Sequence, residues 1–94
     1  MSEVTIRNVP ERGRYEAKID GVLVGTSDYV ILHGVIVFTH AEVKPSHTHR
    51  GIASELARRS LEDARDELGL KVKTVCSFYR WYIQRHPQYA DLVA

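Results

Sequence analysis

The chain has 94 residues, 44% of them hydrophobic and 27% charged, with a formal net charge of +1. That length suits one small domain, taken as residues 1–94, whose packed core excludes wholesale disorder. The near-neutral balance gives a nucleic-acid binder no electrostatic footing, one Cys excludes an internal disulfide or a Cys-only zinc site, and no apolar stretch reaches membrane-spanning length. The opening MSEVTIRNVPE has no charged-then-apolar leader pattern, so a cytoplasmic protein is expected.

In chain order, residues 4–8 read as a short strand. Residues 14–19 read as a clearer one, because Tyr15, Ala17 and Ile19 alternate with Arg14, Glu16 and Lys18. Asp20-Gly21 carries the residues of a tight hairpin turn, and residues 22–32 read as extended with a bend or bulge near Gly25. His33-Gly34 is a second hairpin turn. Residues 35–38 form an apolar run suited to a central strand, which continues to an end at Val43. From Ile52 the period becomes helical: Leu56, Ala57, Leu61, Ala64 and Leu68 share one side, and Gly69 is a natural stop. Residues 71–76 suit a strand with Val72 and Val75 as core candidates. Ser77 is placed to cap a helix over 78–86 that Pro87 ends, with Phe78 and Tyr82 expected to pack on the sheet. The order β-β-β-β-α-β-α predicts an α+β fold, with a single mostly antiparallel sheet and two main helices.

The chemistry concentrates in residues 43–58, VKPSHTHRGIASELAR: a strand end, a polar turn, then a helix. This order aims unpaired amides and the positive end of a helix dipole at the turn, which makes an anion site suited to phosphate. Gly51 removes a side chain where backbone must approach a ligand, and Ala53 keeps the next turn open. His40, His47 and His49 are a rival zinc set, but no second ligand pair accompanies them and no metal site is assigned.

The block Arg50-Gly51-Ile52-Ala53 between strand and helix resembles the acetyl-CoA-binding motif of the GNAT superfamily of N-acetyltransferases. The resemblance is closer to a short single-domain subgroup, and it extends over the Asp20-Gly21 hairpin, the His40-Ala41-Glu42-Val43 strand end, Cys76, and Arg85-His86-Pro87-Gln88-Tyr89. Thr48 stands where the superfamily usually has Gln or Arg, and His49 where the subgroup often has Gly.

What the resemblance implies is a GNAT-like fold and an acetyl-CoA or coenzyme A ligand. The backbone of Glu42 and Val43 would hold the pantetheine arm, and Thr48, His49, Arg50, Gly51, Ile52 and Ala53 the pyrophosphate. Cys76, Ser77 and Tyr79 would complete the cofactor site. Acyl transfer to an amine also needs a base and a proton donor for the departing thiolate. His40 and Glu42 are the base candidates, and Tyr82 or Tyr79 the donor. Cys76 either lines the acyl pocket or carries the acyl group as a nucleophile. The expected partner is a small-molecule or peptide amine, with no nucleic acid and no membrane. The alternative is a CoA-binding module without transferase activity.

Overall fold

The computed structural model describes residues 3–48 and 50–94. Five strands form one sheet in the order β1-β2-β3-β4-β5: β1 (Val4–Val9), β2 (Arg14–Ile19), β3 (Val22–Leu32), β4 (Val35–Val43) and β5 (Lys71–Thr74). All neighbours are antiparallel except β4 and β5, which the helical crossover α1 (Ile52–Asp63) makes parallel. The last helix is α2 (Ser77–Arg85). The expected α+β order is thus the observed one.

The turns follow from residues that tolerate positive φ. Asp20 and Gly21 sit at φ 51° and 79°, His33 and Gly34 at 50° and 79°, the geometry of two-residue hairpins whose twist matches the flanking strands. Two bulges interrupt the pairing. The register passes from Ala17↔Gly25 to Lys18↔Leu23, leaving Val24 as an extra residue beside Gly25, where a bend was expected. It passes from Asp28↔His40 to Tyr29↔Phe38, leaving Thr39 as the extra residue in β4.

Both helices pack on one face of the sheet, over Tyr15, Ala17, Val24, Tyr29, Ile36, Phe38 and Val72. Among the described residues no helix covers the other face. α1 rests directly on Gly25, where an added Cβ would lie 3.2 Å from Ile52 Cγ2, 3.2 Å from Leu56 Cδ1 and 3.3 Å from the Glu42 carbonyl oxygen. Gly25→Val is therefore expected to cost about 2–3 kcal/mol of stability, the range for overpacking a tight contact. Urea unfolding checks it, and an unchanged midpoint would mean that α1 does not lean on β3 there.

Several local expectations need correction. The long helix is regular only to Asp63. Its last turn, Ala64–Leu68, widens to a π-helix that closes on Gly69 at φ 63°. β5 stops at Thr74, where the Phe38 carbonyl accepts from the amides of both Val75 and Cys76 at 3.0 and 2.9 Å. Val75 is 57% exposed rather than core because the alternation that buries Val72 turns residue 75 outward. Cys76, not Ser77, occupies the cap position of α2, and Ser77 is its first helical residue with no side-chain cap bond. Tyr82 is buried in the core and Phe78 packs against it, as expected, but the ring stacked on the sheet, parallel to Phe38 at 4.1 Å, is Tyr79. Residues Pro87–Leu92, unassigned from sequence, form a 3-10 helix that buries Tyr89 and Leu92.

Candidate active site

The site begins where β4 and β5 part. Their pairing runs from Val35↔Lys71 to Phe38↔Thr74 and ends there, while β4 continues five residues to Val43. On its other side this extension stays paired with β3, and Lys44 N–H donates to the Val24 carbonyl at 2.8 Å. That bond makes Val43↔Gly25 a non-hydrogen-bonded pair, so the N–H and C=O of Val43 point away from β3 into the gap, as do those of Ala41. Glu42, between them, directs its backbone groups to β3. The pair available to an extended ligand is therefore Ala41 and Val43, and only the second was expected from the sequence.

Below the gap lies the start of α1. Gly51 stands at φ 75°, a conformation that L side chains resist, and nothing lies within 4 Å of a Cβ placed there. The first ladder bond runs from Glu55 N–H to the Gly51 carbonyl at 3.0 Å. The amides of Ile52, Ala53 and Ser54 precede that ladder, and among the described residues no side chain caps them. A cavity of about 240 Å³ opens onto this turn, lined by Val43, His47, Thr48, Gly51, Ile52, Ala53 and Ser54. Thr48 lines it but directs its own donors elsewhere: its hydroxyl and amide reach the Pro45 carbonyl at 3.0 and 3.4 Å. Ser46 Oγ and His47 Nδ1 share a hydrogen bond of 2.8 Å, Arg50 is exposed nearby, and His49 lies outside the described residues. The cradle is open, has no side-chain cap among the described residues and has the Arg50 guanidinium nearby in sequence, so it fits a pyrophosphate.

The Thr39 bulge decides where the base candidates point. Strict alternation from Phe38 would turn residues 40 and 42 toward the helices. The extra residue reverses the phase, so His40 and Glu42 stand on the helix-free face, paired across β3 with Asp28 and Thr26. There they are 62% and 68% exposed, with Nε2 and Oε1 3.6 Å apart. Cys76 is half-buried at the opposite side of the gap, anchored by its amide to Phe38.

The two tyrosines separate clearly. Tyr79 is fully buried, with its hydroxyl between Ser27 Oγ at 2.5 Å and Ser60 Oγ at 2.7 Å. Burial raises its pKa. It is a core residue, and its expected contact with a cofactor is corrected on that ground. Tyr15, Tyr29 and Tyr89 hydroxyls bind Asp63, Asn8 and Glu62. Tyr82 is the one tyrosine, among the described residues, whose hydroxyl no protein group takes up. Its ring stacks on His86 at 3.9 Å, and burial raises its pKa, which keeps the phenol protonated. His86 Nδ1 bonds the Tyr82 carbonyl at 2.9 Å and so closes the end of α2.

A mixed sheet opened between two parallel strands, with free amides at its mouth, defines an α+β domain with an open cleft at the end of its central strands. Several solved structures share this fold, and two of them show the extent of the likeness. Eis1 from Mycobacterium abscessus is 21% identical with a TM-score of 0.52, over 69% of this chain and 25% of that one. Ribosomal-protein-alanine N-acetyltransferase from Brucella melitensis biovar Abortus 2308 is 21% identical with a TM-score of 0.58, over 86% of this chain and 62% of that one. The chain thus spans less than two thirds of either protein's length. No curated protein matches it. The family model for GCN5-related N-acetyl-transferase matches residues 14–92, and the chain belongs to that family.

Proposed function

We propose that the protein transfers an acetyl group from acetyl-CoA to an amine. The observation that carries this reading is the parting of β4 from β5 directly above the uncapped start of α1, which joins a backbone-lined gap to a phosphate-sized cradle. Ala41 and Val43 offer backbone groups to the pantetheine arm, and Gly51, Ile52, Ala53 and Ser54 amides to the pyrophosphate. Acetyl-CoA, when bound, supplies the activated thioester.

The gap joins the two faces of the sheet, which gives the donor and acceptor separate approaches. An amine arriving on the helix-free face meets His40 and Glu42, either of which can take its proton. Tyr82, on the helix side, holds a proton at its free hydroxyl for the departing sulfur. Cys76 borders the gap as a wall of the acyl pocket, with attack by the amine direct. A thiol-release assay with a panel of amines tests the transfer. Thiol release that depends on an amine is expected; tight acetyl-CoA binding without turnover for any amine would favour the non-catalytic module. Cys76→Ser is expected to keep kcat within about threefold, since no covalent step runs through it; a loss of about a thousandfold would establish the acyl-cysteine route instead.

A further inference from the structure

Three hydroxyls meet in the core, on Ser27 of β3, Ser60 of α1 and Tyr79 of α2, all fully buried. Ser60 donates to the Ala57 carbonyl at 3.1 Å, which leaves its oxygen to accept from Tyr79, whose oxygen in turn accepts from Ser27. One proton per hydroxyl orders the chain Ser27 to Tyr79 to Ser60 to Ala57. An apolar Ala, Phe and Ala set would fill the same space with no polar group to satisfy, so stability alone does not call for this network. Its geometry fixes something more specific. The Tyr79 ring lies flat on Phe38, and the Phe38 carbonyl is the acceptor on which Val75 and Cys76 turn away from β4. Tyr79 therefore grips, through its ring, the same residue whose carbonyl ends the β4–β5 pairing. It sits three residues after Cys76 and three before Tyr82 on α2.

We infer that the Ser27–Tyr79–Ser60 relay is a positioning device that sets α2 in a single orientation, fixing Cys76 at the gap and Tyr82 further along the same helix. Tyr79 acts through Cys76 and Tyr82, and touches no reacting atom. The inference that this affects turnover rests on the acetyl-transfer reading; the inference that it fixes the gap does not.

The test compares Tyr79→Phe with the triple variant Ser27→Ala/Tyr79→Phe/Ser60→Ala. The single variant leaves the Ser27 hydroxyl with no acceptor while Ser60 still donates to Ala57, whereas the triple variant removes all three hydroxyls and is expected to melt closer to the wild type. Both are expected to lower kcat at least tenfold while the KM for acetyl-CoA stays within about twofold, because small misplacement affects chemistry more than the α1 cradle. Both are also expected to speed exchange of the Cys76 amide at least tenfold, a readout independent of activity. A triple variant with wild-type kcat and wild-type Cys76 exchange would overturn the inference. If the wild type turned over no amine, the acetyl-transfer reading would fall, and Cys76 exchange alone would decide the relay.

Discussion

Gly51→Glu is expected to raise the dissociation constant of acetyl-CoA by at least about a hundredfold. Three effects act in the same direction. The added side chain enters space that is open within 4 Å of the Gly51 Cβ position, at the mouth of the cavity formed with Ile52, Ala53 and Ser54. Its carboxylate faces the phosphates at the very point where amides and the helix dipole favour an anion, and like charges placed so cost several kcal/mol. The residue must also hold φ near 75°, which costs a non-glycine residue about 1–2 kcal/mol. Gly51→Ala separates these terms, since it bears the strain without the charge and is expected to weaken binding far less. Calorimetric titration measures both, and equal affinities for wild type and Gly51→Glu would remove the turn from the site.

Phe38→Ala is expected to destabilise the fold by about 3–5 kcal/mol, the range for emptying a buried phenylalanine site. Phe38 is fully buried, stacked on Tyr79 at 4.1 Å and edge-on to Tyr29 at 6.3 Å, so neighbours on β3 and α2 lose contact together. A domain of this size has a total stability of roughly 5–14 kcal/mol, so the loss is expected to lower Tm by about 15 °C or more. A shift below about 5 °C in thermal unfolding would mean that the stack contributes little.

The sequence conveyed the fold well wherever a local rule governed it. Asp20-Gly21 and His33-Gly34 announce their hairpins because positive φ is cheap there, and the alternation in Arg14–Ile19 marks a strand with one buried face. The start of α1 was legible too, since Gly51 before an amphipathic run is a local signature. What stayed hidden is set by tertiary pairing. The bulge at Thr39 has no residue signature, yet it reverses the phase of β4, turns His40 and Glu42 to the helix-free face, and hands the outward backbone groups to Ala41 and Val43. The end of β5 is set by the Phe38 carbonyl, which accepts from Val75 and Cys76 together, a partner that no local residue pattern announces. Helical spacing gave Phe78 and Tyr82 their packing against the core but left Tyr79, the most deeply buried of the three, a site role. Only the positions of Ser27 and Ser60 show that the hydroxyl of Tyr79 is already engaged.

The central claim is that acetyl-CoA lies across the gap between β4 and β5 with its phosphates on the start of α1. Titrating acetyl-CoA into the labelled protein and following amide shifts by NMR tests it directly. The account predicts saturable shifts centred on Ala41, Val43, residues 51–54 and Cys76, with residues of β1 unmoved. Flat spectra at millimolar ligand, or shifts confined to the helix-free face, would contradict it.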